Sequence, residues 1–540
     1  MLSGRTLLKA AATAFAIAVT NLAPAPDIAR AQGSLRVGMT ANDVPLTWGQ
    51  PDNGFEGYRF MGLLLYDALI NWDLTSASKP SGLIPGLAES WQVDQADRTK
   101  WTFKLRRGVK FHDGSEFNAD AVVFNMDRLT DEKAPQYSAR MASLTNFRIP
   151  SYKSVRKIDD YTVEFTTRSP DAFWPDQISY VLMASPKQWE VTGKDWAKFA
   201  ATPSGTGPWK LSLLKGRETA ELVPNKEHWD PARVPKLDKL TLMSMPDAAT
   251  RAAALLAGQV DWIEAPNAEA IPRMEAQGFK IVSNAYPHVW TWQLSRIEGS
   301  PWNDIRVRKA ANLAIDRTAM VKLLAGYASP AAGHVPKNAH WFGRPKFEIK
   351  TDVDEARRLL AEAGFGPDKH VKTKVLISSF GSGQMLPLPM NELIQQNLKA
   401  VNIDVDFEVV EWQALLDLLR AGGKSPQLKG ATAINVSYAT QDAFSAFTRL
   451  LRSDLAAPAG LNFGYLNDPE LDILLNQAQA TFDFEARNEI LARVHEKMVD
   501  ESLFIWVVHD LAPRAMSAKV KGFVPARSWF QNLSTVTMDK

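Results

Sequence analysis

The sequence predicts an α/β fold divided among two or three domains, and three observations predict it. Segments with the two-residue period of strands alternate with segments of helical period along most of the chain. At 540 residues the chain is too long for one ordinary hydrophobic core. No internal repeat, low-complexity tract or Pro/Gly/Ser-rich linker separates two halves, so the domains are expected to interleave, with the chain crossing between lobes more than once.

Each element has its own local signal. Residues 35–39 form a short apolar strand. Trp101, Phe103 and Leu105 alternate with Thr102, Lys104 and Arg106, the pattern of a half-buried strand. Gly108 ends that run, and His112-Asp113-Gly114 is a turn, because glycine supplies the positive φ that a side chain resists. Asn118 then stands as an N-cap, with Asp120 in the first turn and Val122, Met126 and Leu129 at helical spacing. Residues 155–165 predict a hairpin turning at Asp159-Asp160. Residues 248–257 predict a helix ended by Gly258, with a strand over 260–263. Asp352 and Glu355 resemble a capping box for a helix ending at Gly364. A helix over 391–400 leads into a strand over 403–410. Ile490, Val494 and Met498 stripe a late helix, and 504–508 is a continuous apolar run, as in a strand buried on both faces.

The first thirty-one residues predict a cleavable leader. Arg5 and Lys9 precede an apolar run over 10–19, and Ala29-Arg30-Ala31 is an A-x-A site before Gln32. The run is too short to span a bilayer; a buried N-terminal helix is the alternative reading. The leader carries three of the 62 basic and one of the 60 acidic residues, so the remainder is charge-balanced and favours neither nucleic acid nor an anionic membrane as partner. There are 0 cysteines, which excludes disulfides, thiolate metal sites and a lipidated cysteine anchor.

Signatures of catalysis are missing. There is no G-x-S-x-G, no H-E-x-x-H and no P-loop, and Gly205-Thr206-Gly207 lacks the third glycine of a dinucleotide loop. No two of the 8 histidines stand at the i, i+4 spacing of a helical metal site. His112-Asp113 fits a turn better than a proton relay, and Asp261 fits a strand start. Arg306, Arg308 and Arg317 are expected on a helix face paired to Asp304 and Asp316.

The order of several blocks carries more. Pro85–91 (PGLAESW), then W-x-F-x-L-R-x-G-V-x-F-x-D-G over 101–114 and A-D-A-V-x-F over 119–124, resemble the signature of the extracellular solute-binding proteins, family 5. Gly205–209 (GTGPW), 301–310 with Ala314-Ile315-Asp316-Arg317, and 359–365 (LLAEAGF) resemble later family blocks in the same order. The resemblance implies a bilobal type II periplasmic-binding-protein fold of the larger, three-domain kind. Lobe I would take residues 32–56, 203–285 and 511–540, with residues 57–202 inserted into it as an extra domain. Lobe II would take 286–510, and two crossing strands near 286–293 and 504–509 would form a hinge. It further implies a monomeric, non-enzymatic periplasmic protein without a cofactor. Such a protein captures a small solute between closing lobes and hands it to an ABC permease in the inner membrane.

Dipeptide-binding members of that family hold the peptide amine with an acid and the carboxylate with an arginine. Here those positions fall at about Ala439 and Gly381, and no Arg or Lys lies between Lys374 and Lys399. A simple dipeptide is therefore not the expected ligand, although Asp442 is near enough in sequence to serve an amine. Neutral and aromatic candidates remain: Asn42, Thr47 and Trp48 in the loop after the first strand, Ser382 and Gln384 in a Gly-rich loop, and Trp290 and Trp292 on the first hinge strand. Tyr438 stands beside the vacated acid position. Such groups suit an uncharged, ring-bearing solute such as an oligosaccharide; the 17 tryptophans are equally explained as core. Arg140 is the candidate for an anionic ligand. His509 is a weak candidate for a metal chelate. A peptide ligand, or a periplasmic chaperone or sensor role, would use the same cleft.

Overall fold

A computed structural model describes residues 33–539; the predicted leader lies outside the described residues. Three sheets organise the chain. The first has seven strands in the order Lys280–Val282, Arg514–Met516, Trp262–Glu264, Ser34–Met39, Lys239–Ser244, Thr219–Pro224 and Trp209–Lys215. Ser34–Met39 lies at its centre, parallel to both neighbours. The second sheet has six strands, Ala328–Pro330, Phe504–Asp510, His288–Leu294, Ala433–Ala439, Val371–Ser378 and Ile403–Val410. The third is a four-stranded antiparallel sheet of Ala88–Val93, Lys100–Leu105, Thr162–Thr167 and Tyr152–Asp159. The mixture is α/β, with several sheets built from non-contiguous stretches of chain.

Local chemistry accounts for the elements. Asn118 caps Ala119–Thr130 by accepting from the Ala121 amide at 3.1 Å, and Asp352 caps Val353–Glu362 by accepting from Glu355 at 3.1 Å. The His112-Asp113-Gly114 turn folds onto the GTGPW loop: His112 donates its backbone amide to Gly205 O at 2.8 Å, and its Nε2 lies 2.9 Å from Gly207 O. A Cβ on Gly205 would lie 2.1 Å from Leu65 O, so only glycine permits this approach. Two sequence blocks thus meet as one structural joint. Asp261 is structural: it accepts from Arg36 Nε at 2.9 Å and Nη2 at 2.8 Å.

Two expectations are corrected by packing. Of the three arginines expected to pair with aspartates, only Arg306 does, forking onto Asp304. Arg308 and Arg317 are buried, and they donate to the carbonyls of Glu501, Trp302, Trp506 and Asn312, tying helices to the six-stranded sheet. Trp290 and Trp292 are fully buried between that sheet and its helices; their indoles donate to Gln384 O and Asn391 Oδ1. The strand His288–Leu294 is buried on both faces, so alternation there selects between two cores and not between core and cleft.

That strand runs antiparallel to Phe504–Asp510. Beyond them, residues 283–287 and 511–513 carry the chain across to the seven-stranded sheet. The functional space opens where these crossings bring the two sheets together.

Candidate functional site

Two spaces flank the crossings. The smaller, about 60 Å³, is enclosed by Phe55, Arg148, Trp412, Ser437, Tyr438 and Arg449 among others. The larger, about 470 Å³, lies between loops of both sheets and is lined by Thr40, Arg59, Tyr286, Phe380 and Asp510, with Trp529 on the wall shared by both.

The smaller space is cationic. Arg148 ends the turn Asn146–Arg148, and its guanidinium sits in a box of aromatic rings: Phe147 at 4.7 Å, Phe55 at 4.9 Å, Tyr58 at 5.0 Å and Tyr180 at 5.3 Å. Such rings attract a cation but accept no strong hydrogen bond. Its Nε and Nη1 are buried without a hydrogen-bond partner, and Arg148 is 5 % exposed. Arg449, on Arg449–Leu451, is buried as well and donates from Nε to Ser445 O at 3.1 Å. Among the described residues neither arginine has a carboxylate within 4.0 Å. Burial, and then the neighbouring Arg148, lower the Arg449 guanidinium to about 10. Arg420, on Trp412–Ala421, is lowered to about 10, chiefly by burial; Asp417 opposes that shift, and Arg148 and Arg140 add to it. Arg140 thus contributes charge from a half-buried position without lining either space.

The other predicted residues divide. Ser382, Tyr438 and the neighbouring Ser437 line the smaller space. Ser382 Oγ accepts from the Glu56 amide at 3.2 Å, and Tyr438 is buried with its hydroxyl on Gln293. Gln384 is buried behind them, donating to Ser437 Oγ at 2.9 Å and leaving its Oε1 without a donor. Asp442 is committed: Tyr180 donates to its Oδ2 at 2.9 Å and the Ser445 amide to its Oδ1 at 2.6 Å. Burial first, then Asp442, push the Tyr180 hydroxyl upward. Asn42 is exposed, Thr47 donates to Ala200 O at 2.6 Å, and Trp48 is half-buried between two apolar cores; none lines either space. From that loop the cavity receives Thr40 instead. Gly381 has φ +143°, and a Cβ there would lie 2.3 Å from Trp412, so the indole fills the volume a side chain at 381 would need.

The floor of the larger cavity is a buried ion network. Arg59 Nη1 lies 3.1 Å from Glu264 Oε2 and donates to Tyr286 Oη at 3.2 Å. Glu264 also accepts from Arg514 Nε at 3.2 Å and Trp262 Nε1 at 2.8 Å. Among the described residues no group of three His, Cys, Asp or Glu side chains is placed to hold a metal ion.

Residues 82–454 match the model of the bacterial extracellular solute-binding proteins, family 5, middle region, and the chain belongs to that family. It is 30% identical to the glutathione-binding protein GsiB of Escherichia coli over 81% of this chain and 82% of that protein. It is 27% identical to heme-binding protein A of Haemophilus influenzae over 84% of each. Among solved structures, the ABC transporter-associated periplasmic binding protein DppA from Helicobacter pylori, in complex with a peptide, superposes with a TM-score of 0.81. That match is at 23% identity and covers 95% of this chain and 99% of that one. The family serves solute uptake by ABC importers, and the fold is of the type II periplasmic-binding class.

Proposed function

We propose that this protein is the exported solute-binding component of an ABC importer, acts without catalysis, and captures an acidic organic solute. Its carboxylates would be received by Arg148 and Arg449. The observation that carries this reading is Arg148: a buried guanidinium with two unpartnered nitrogens and, among the described residues, no carboxylate within 4.0 Å. A buried charge without a counter-ion is unfavourable by several kcal/mol, on the order of 3–5 when its partner has been removed, and an anionic ligand supplies what is missing. This turns the neutral-solute expectation toward acids. The rings gathered here, Phe55, Tyr58, Phe147 and Tyr180, surround an arginine, and they are not the tryptophans the sequence offered for a sugar. The relatives' names lend support, since glutathione and heme both bear more than one carboxylate.

Arg148 follows the helix Ala139–Thr145, whereas Arg449 follows the turn Phe444–Thr448 after the strand Ala433–Ala439 of the six-stranded sheet. A ligand bridging them would draw together parts of the chain that repel when the site is empty, and closure follows only from such extra contacts in the closed state. The test is thermal denaturation of residues 32–540 against tricarballylate, glutathione and phthalate, with maltotriose as the neutral control. At 100-fold excess over Kd an acid is expected to stabilise by about 2.7 kcal/mol. Stabilisation by maltotriose alone contradicts the reading.

A further inference from the structure

The larger cavity contains a second unmatched charge of opposite sign. Asp510 ends the strand Phe504–Asp510 at the crossing and is 4 % exposed. Its Oδ1 accepts from the Ala512 amide at 2.6 Å, and among the described residues no basic group lies within 4.0 Å of its carboxylate. The other charges nearby are already used. Arg59 and Arg514 are engaged with Glu264. Arg251 donates to the carbonyls of Glu264, Met245, Pro246 and Ala265. Asp247, at the exposed rim, caps its helix by accepting from the Thr250 amide at 2.7 Å. His509, the neighbour in sequence, is held neutral by burial, at about 4. What remains is a carboxylate facing about 470 Å³ of largely apolar space, with Trp529, Tyr286 and Phe380 among the walls.

We propose that this cavity is a cation-binding compartment of the interlobe cleft, with Asp510 as the counter-ion for an organic ammonium group and the aromatic walls packing against its carbon skeleton. The inference rests on the reading of the cleft as a solute site and adds a chemical class to it: a solute with an amine at this end as well as an acid at Arg148, or a separate amine bound alone. An ammonium satisfies both demands of the site, because it pairs with the buried carboxylate and is attracted by ring faces. A neutral hydrocarbon would leave Asp510 desolvated, and an anion would face it directly. Burial already pushes the carboxyl up to about 6, with Arg59 and Arg514 opposing and Glu264 adding to the shift. Such a group is mostly ionised above neutral pH and gains from a cation in that form.

The experiment titrates phenethylamine, and its uncharged isostere 2-phenylethanol, into the full mature chain at pH 7.5 by calorimetry or saturation-transfer NMR. The amine is expected to bind saturably and at least about tenfold more tightly than the alcohol. Asp510→Asn should lower amine affinity by about tenfold or more, with near-UV circular dichroism reporting whether the variant is folded. Ala268→Trp, which fills the cavity from its rim, covers the case in which Asp510→Asn fails to fold; it should abolish amine binding. Wild-type affinity for the amine should also fall as pH drops below about 6. No saturable amine binding, equal binding of amine and alcohol, or full affinity in a folded Asp510→Asn variant overturns the proposal. Tricarballylate titrated into the same wild-type protein reports the Arg148 site separately, so failure of either site is distinguishable from failure of the other.

Discussion

At the scale of single residues, the decisive feature is charge buried without compensation. Arg148 is held among rings whose attraction for a cation is about 0.5–2 kcal/mol each at best, well short of the desolvation of a guanidinium. Replacing it with a residue of similar shape and no charge should therefore not destabilise the empty protein. Arg148→Met is predicted to melt at the wild-type temperature or above it, by differential scanning calorimetry; a loss of several degrees would mean that the arginine is a structural tie. Sequence reasoning did not find Arg148 because Asn146-Phe147-Arg148 has no periodicity and no motif, and its meaning comes from rings contributed by residues 55, 58 and 180. That Gly381 and Ala439 carry no charge was legible, but which charges other turns bring to the cleft was not. Tryptophan content left cleft and core equally open, and Trp290 and Trp292 lie in the core with bonded indoles.

At the scale of elements, most of the chain was legible because its signals are local. The N-caps at Asn118 and Asp352 are present with their hydrogen bonds, and the alternation over 100–105 marks a strand. Boundaries moved where tertiary packing extends an element, as in Pro387–Lys399, which begins four residues before the apolar-periodic stretch. In the Gly-rich loop that carries Ser382 and Gln384, the glycine at 381 makes room for Trp412. Gly381→Ala should cost about 1–3 kcal/mol by urea denaturation, since a Cβ 2.3 Å from the indole forces movement at a φ that side chains resist. A variant as stable as wild type would show that the loop yields freely.

The two crossing strands carry a different signature. Burial lowers His288 to about 3 and His509 to about 4, and the late helix Phe484–Asp500 adds His495, also lowered to about 4 by burial. Their unfolded pKa is about 6.5. Between about pH 6.5 and 4 the unfolded chain binds more protons than the folded one, so stability rises with pH in that window and is lost on acidification. Asp510, raised to about 6, acts in the opposite sense between about pH 4 and 6 and offsets part of one histidine. Urea midpoints are predicted to fall steadily from pH 7 to pH 4.5. A flat profile there would indicate that the histidines are hydrated in solution.

At the scale of the whole molecule, two sheets are joined by paired crossings, and the cleft between them collects charges that neither sheet neutralises alone. Several direct bonds span it, among them the one from the Glu56 amide to Ser382 Oγ; in another, Tyr180 donates to Asp442, joining the segment before the strand Trp209–Lys215 to the turn after Ala433–Ala439. Tyr180→Phe removes that bond and is predicted to bias the empty protein toward the open form. Small-angle scattering should then give a larger radius of gyration than for wild type, converging when a solute is bound; identical ligand-free profiles would assign closure to other contacts. The family and its fold class were legible because short blocks keep their order over residues 85–365, from PGLAESW to LLAEAGF. Cargo was not, because it depends on which distant side chains the closed lobes bring together.

An anion at Arg148 is proposed to complete this cleft. Calorimetric titration of tricarballylate into wild type and Arg148→Met tests it most directly. Wild type should bind it, and Arg148→Met should bind about tenfold to a hundredfold more weakly, with no loss of thermal stability in the ligand-free variant, given that a charge-assisted bond contributes about 1.5–3 kcal/mol. Undiminished affinity in Arg148→Met would contradict it.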